Sequence, residues 1–107
     1  MERLRNSLLV KVYTHYGFNE QCGQLTEEVG ELLQAVNKYR RKLRVTPPDL
    51  MKDTDEFFNL IEELGDVRNV VDGLSILLEC EHAVSTSALY KMKREWSRIC
   101  GTTLDKL

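Results

Sequence analysis

The sequence predicts an all-α, four-helix bundle-like single domain, and three observations carry that expectation. Apolar residues recur three and four positions apart over long stretches, which is the period of a helix face. No stretch alternates apolar and polar residues for long enough to argue a strand. The strong interruption inside the chain is Pro47-Pro48, a pair that cannot continue a helix and that pushes Thr46 toward extended geometry. A chain of 107 residues has room for one domain, spanning 1–107, and its modest core is expected to be completed by oligomerisation.

The elements follow in order. A first helix is expected from about Glu2 to Tyr16, with Leu4, Leu8, Leu9, Val12 and Tyr16 on one face and Gly17 as its stop. In the second, Leu25, Val29, Leu32, Val36, Tyr39 and Leu43 step by 4, 3, 4, 3 and 4. A loop of roughly 8 residues around Val45 to Lys52 joins it to the third. The third starts near Asp53 and carries Phe57, Leu60 (or Ile61), Leu64, Val67, Val71, Leu74 and Leu78. A fourth is expected after Ser85-Thr86-Ser87, whose hydroxyls suit an N-cap, with Leu89, Met92, Trp96 and Ile99 turned inward and an end near Gly101. The tail from Thr102 to Leu107 has no pattern and is expected to fray.

Composition excludes several classes of function. Fifteen basic and seventeen acidic side chains leave a net charge of −2, which supplies no global field for nucleic acid or an anionic membrane. No stretch approaches the ~20 apolar residues of a membrane span. Cys22, Cys80 and Cys100 are odd in number and lack C-x-x-C spacing, which argues against a disulfide framework and for a reducing compartment. Charges scattered through MERLRNSLLVKVY are unlike a signal peptide, so the expected location is cytoplasmic.

One internal echo points to chemistry. Glu27-Glu28-Val29-Gly30-Glu31 on the second helix recurs on the third as Glu62-Glu63-Leu64-Gly65-Asp66. Each pentad holds a mid-helix glycine, at a cost of about 0.8–1 kcal/mol relative to Ala, so backbone or ligand is expected to pass close there. On a helical wheel Glu63 falls about 20° from Leu74, inside the apolar arc, and Glu28 about 40° from Leu32, at its border. A carboxylate facing a core requires a partner. Counting about 16–20 Å from Glu31 to the end of its helix and about 15 Å from Asp53 to Glu63, an antiparallel hairpin sets the pentads level. Glu28, Glu31, Glu63 and Asp66 then form a four-carboxylate cluster, since residues at i and i+3 share a face. Arg68 is the basic residue near that face of the third helix, and one Arg cannot balance four acids. A hard divalent cation that takes oxygen ligands, such as Mg²⁺, is the natural counterion.

The stretch from Gln24 to Ala35, followed by Asn59 to Val67, resembles the MazG-like nucleotide pyrophosphohydrolases of the all-α NTP pyrophosphatase superfamily, which includes the dimeric dUTPases. Both halves of that family's signature, E-E-x-x-E and E-x-x-D, are present. The resemblance implies that Glu28, Glu31, Glu63 and Asp66 bind Mg²⁺, with Mn²⁺ as a substitute. It implies cleavage of a nucleoside triphosphate to the monophosphate and pyrophosphate, in the role of clearing unwanted nucleotides. It also implies a homodimer or homotetramer with sites near the subunit contact. Where family members often carry a lysine four residues before each helix's first ligand, this chain has Gln24 and Asn59. Lys91-Met-Lys-Arg-Glu-Trp96 is similar to a basic K-x-x-R-R-aromatic element, with Glu95 in place of the second arginine. A substrate-binding role therefore carries over to Lys91 and Arg94, and to Gln24 and Asn59 as uncharged donors. The residues identify no general base: Glu27 and Glu62 fall on the outer side of the wheel.

Other features read as structural. Glu79-x-x-His82 would suit a di-iron site only if repeated, and His15 has Val12 at the matching position. Trp96 fits a core or interface position better than a base-stacking one. Lys38, Arg40, Arg41, Lys42 and Arg44 suit the negative end of a helix dipole, with phosphate steering as the less favoured reading. The competing class for the whole chain is a non-catalytic helical module that binds nucleotide or another protein.

Overall fold

The structure, a computed structural model, describes residues 2–101. Four α-helices, α1 (Glu2–Tyr16), α2 (Phe18–Leu43), α3 (Asp55–Leu77) and α4 (Glu81–Cys100), make up nearly all of it. A 3₁₀ helix, Pro48–Asp53, lies between α2 and α3, and no strand occurs among the described residues. The all-α single-domain expectation holds, and α1 begins and ends where the sequence sets it. No helix is long and apolar enough to cross a membrane among the described residues. The tail expected to fray lies outside the described residues.

Gly17 alone separates α1 from α2. Its φ of 86° and ψ of 171° lie in a region that is essentially reserved for glycine, so this one residue turns the chain between two helices. At the other end of α2, Arg40, Arg41 and Lys42 occupy the last turn, where cations complement the helix dipole. The segment expected as a loop is ordered. Pro48 opens the 3₁₀ helix, and Met51 within it is almost wholly buried. Thr54 then caps α3: its hydroxyl accepts from the Phe57 N–H at 3.2 Å and donates to the Met51 carbonyl at 2.7 Å.

α2 and α3 form the long antiparallel hairpin, and α1 lies across α3. The core is small: Leu9 and Tyr13 from α1, Ala35 from α2, Met51, and Val70 from α3. Gly73 is essential to it, because the Tyr13 ring fills the space that any side chain at 73 would occupy. Arg5 fastens the same two helices, donating to Asn69 at 3.1 Å and to Asp72 at 2.8 Å.

Two expectations about the last helix need correcting. α4 starts at Glu81, ahead of the Ser85-Thr86-Ser87 cluster, which lies within the helix. The reversal is made instead by Glu79 at φ 54°, with the Glu79 N–H bonded to the Ile76 carbonyl and the Cys80 N–H to the Ser75 carbonyl, both at 3.0 Å. That is the Schellman arrangement, with glutamate in the position that glycine usually holds. Nor do Leu89, Met92, Trp96 and Ile99 turn inward: they are 56–68% exposed, and α4 has no buried residue. The turn directs α4 away from the body, so its backbone approaches that of α3 alone. The radius of gyration is accordingly 17.4 Å, against about 13 Å for a compact domain of this length. Leu4, Leu8, Val12, Leu64 and Val71, expected on covered faces, are exposed as well.

Candidate metal centre

Glu28 and Glu31 project from α2 and Glu63 and Asp66 from α3, where the hairpin brings the two pentads level. Carboxylate oxygens of Glu28, Glu31 and Glu63 lie within 4.8 Å of one another. Asp66 stands at the edge of this trio, close enough that its charge acts on Glu28. Glu28 is the innermost of the four at 9% exposure, Glu63 is half-buried, and Glu31 and Asp66 face outward.

The electrostatics follow from that placement. Burial raises the Glu28 carboxyl above the ordinary glutamate value of 4.5; the Gln24 hydrogen bond opposes the rise, and Asp66 and Glu31 add to it. Burial likewise raises Glu63, with Glu31, Asp66 and Glu28 pushing the same way. Glu28 Oε2 and Glu63 Oε2 are buried and have no hydrogen-bond partner. Buried polar atoms are normally satisfied, so two unpartnered oxygens on facing helices are a chemical fit for a cation. An all-oxygen donor set suits a hard divalent ion.

The flanking amides behave differently. Gln24 Nε2 donates to Glu28 Oε1 at 2.6 Å, so it contacts a cluster carboxylate directly. Asn59, half-buried and one methylene shorter, makes no such bond to Glu63. Lys91 and Arg94 are exposed on α4, where the Arg94 guanidinium carbon lies 6.0 Å from the centre of the Tyr90 ring. Arg68 is engaged outside the cluster, at 3.6 Å from Glu2 and 3.8 Å from Asp72. Among the described residues, no ion pair neutralises the four acids.

Several sequence-level expectations resolve here. Among the described residues, nothing outside the local helix comes within 4 Å of a Cβ built at Gly30 or Gly65, so no described backbone from another element passes close to either glycine. Glu79 sits in the left-handed turn and His82 on the exposed start of α4, so they share no helix face for a di-iron ligand pair. Trp96 is exposed, and the three cysteines are free. One residue that sequence reasoning missed is Tyr13. Burial raises its phenol, Glu28 raises it further, Arg5 opposes, and Asp66 and Asp72 contribute. No spacing rule links Tyr13 to residues on α2 and α3, and Gly73 was the only available hint.

Together, the helical hairpin and its clustered acids define an all-α domain with carboxylates gathered between its two long helices. The model of the MazG nucleotide pyrophosphohydrolase domain matches residues 19–94, from the first turn of α2 into α4. The chain belongs to the MazG nucleotide pyrophosphohydrolase family. No curated protein and no solved structure matches it.

Proposed function

We propose that the chain hydrolyses nucleoside triphosphates, NTP or dNTP, to the monophosphate and pyrophosphate in a Mg²⁺-dependent reaction, with Mn²⁺ as a substitute. The observation that carries this reading is the pair of unpartnered, buried oxygens on Glu28 and Glu63, with Glu31 within reach and Asp66 beside them. Bound there, a divalent ion would supply charge neutralisation for the phosphate chain and acidify water. The chain's own residues contribute placement. Gln24 fixes the rotamer of Glu28, and Glu31 and Asp66 face the open side from which a phosphate chain approaches. Glu27 and Glu62 are exposed, and neither is assigned as a base.

The same reading extends to assembly and location. A 20-residue helix with no buried side chain is not stable alone, because helices depend on tertiary burial of an apolar face. A second copy covering α4 in a homodimer or homotetramer supplies that burial and gives Lys91 and Arg94 a route to another copy's carboxylates. Free cysteines, two of them exposed, suit a reducing cytoplasm. Clearing unwanted nucleotides is the role this chemistry serves.

A second reading, binding without cleavage, is favoured by one observation: Glu95 faces Arg98 at 3.3 Å on the helix where a further cation would bind phosphate. Pyrophosphate release from a panel of NTPs and dNTPs, in Mg²⁺ and in EDTA, decides between the two. Release that stops in EDTA supports hydrolysis. Nucleotide binding with no release would establish the second reading.

A further inference from the structure

Between α1 and α3 lies a cavity of about 360 Å³, within the size range of small-molecule sites. Leu4, Leu8 and Val12 form an aliphatic wall on successive turns of α1, Tyr13 closes the inner side, and Arg5 and Asn69 make the polar end. This cavity adjoins the carboxylates. Asn69 follows Asp66 by three residues on α3, so the two side chains are neighbours on one helix face, about 5–6 Å apart at Cβ. Tyr13, on the opposite wall, lies within the electrostatic reach of Glu28 and Asp66.

The polar end has a fixed hydrogen-bonding character. Arg5 Nε donates to Asn69 Oδ1, which occupies one of that oxygen's two acceptor sites and sets which way the amide faces. Arg5 Nη2 places one of its two N–H groups on Asp72 Oδ2. The Asn69 Nδ2 amide and the Arg5 Nη1 group have no partner among the described residues, and their N–H groups outnumber the acceptor capacity left on Asn69 Oδ1. Both are donors only.

We propose that this cavity receives the nucleobase of the triphosphate, and that Asn69 and Arg5 select bases presenting a carbonyl oxygen over those presenting an amino group. The proposal rests on the pyrophosphohydrolase reading of the adjoining site. O4 of uracil or thymine and O6 of guanine accept hydrogen bonds, whereas the exocyclic amines of cytosine and adenine donate them. A donor covered by a base that also presents a donor is left without a partner, which is how a polar site rejects an analogue. The aliphatic wall offers any base ring the same apolar contact, so discrimination falls to the polar end.

Calorimetric binding of the non-hydrolysable α,β-methylene analogues of UTP and CTP, and of inorganic tripolyphosphate, tests this in Mg²⁺. The uridine analogue should bind about tenfold or more tightly than the cytidine analogue, as expected where a donor covered by the base must be matched. Asn69→Leu should collapse that ratio. Leu8→Trp, at an exposed position that tolerates bulk, should fill the cavity and weaken both nucleotides while leaving tripolyphosphate unchanged. Equal affinities in the wild type, no measurable nucleotide binding, or a ratio that survives both variants would overturn the assignment. Hydrolysis of UTP, assayed separately, bears on the reaction: loss of that activity with the binding ratio intact would refute the reaction and keep the pocket.

Discussion

Gln24 reaches across one helical turn to donate to Glu28 Oε1 at 2.6 Å, leaving Glu28 Oε2 buried without a partner. One oxygen of the innermost carboxylate is therefore held by the chain, and the other is kept available. Ligand-orienting bonds of this kind are worth 10–100-fold in metal affinity. Gln24→Leu should weaken Mg²⁺ binding by roughly that factor and raise the Glu28 carboxyl further, since the lost bond is the one contribution lowering it. A metal titration that matched the wild type would show that the bond has no part in the site.

Glu63→Gln should abolish turnover while leaving the fold intact or more stable without metal. It removes a carboxylate that its three acidic neighbours repel and that no cation among the described residues offsets. Near-normal pyrophosphate release from this variant would sink the metal assignment.

The pH dependence has a definite sign. Glu28 and Glu63 are raised in the folded state, so in metal-free protein their contribution to stability is full below about 4.5 and is lost as pH rises through their raised values. The melting temperature of Glu63→Gln relative to wild type, both in EDTA, should therefore climb as pH rises from 4.5. Saturating Mg²⁺ should reverse the ranking, adding about 2.7 kcal/mol to the wild type at one hundred times its Kd. A variant-to-wild-type difference that stayed flat across that window would contradict the placement of these groups.

Glu79 holds a left-handed conformation that costs a non-glycine residue about 1–2 kcal/mol. Because it stands at the Schellman position, Glu79→Gly should stabilise the protein by up to about 1 kcal/mol after glycine's own entropy cost. Chemical denaturation measures this, and a destabilised variant would mean that the turn has another geometry.

The exposed face of α4 predicts self-association. Light scattering at micromolar concentration should return a multiple of 12.4 kDa, and Leu89→Asp combined with Trp96→Asp should shift it toward the single-chain mass. A monomeric wild type would remove the case for a second copy.

The carboxylate cluster was legible in the sequence because it depends on local arithmetic. Spacing of three within a helix and a matched count of residues to the hairpin suffice to bring Glu28, Glu31 and Glu63 together, with Asp66 at their edge. The start of α4 was not legible, since its turn uses a glutamate where the usual signal is glycine, and the serine and threonine hydroxyls offered a stronger local cue. α4's amphipathic pattern was plain, but a pattern does not say whether the surface it meets belongs to the same chain. The Arg5 network spans 64 and 67 residues of sequence and joins side chains that no periodicity connects. Among the glycines, repetition drew attention to Gly30 and Gly65, whereas the crowded one is Gly73.

The short Pro48–Asp53 helix acts as a length gauge for chemistry one hairpin arm away. Met51 is anchored in the interior and Thr54 ties the Met51 carbonyl to the first turn of α3, so the phase at which α3 sets out is fixed there. Adding or deleting one residue after that anchor would rotate everything downstream by about 100°. Glu63 and Asp66 would swing away from Glu28 and Glu31 with no ligand altered. Connecting segments ordinarily tolerate insertions better than the elements they join. Here the connector is the part whose length cannot drift, and a chain that lost the cluster this way would keep both acidic pentads unchanged.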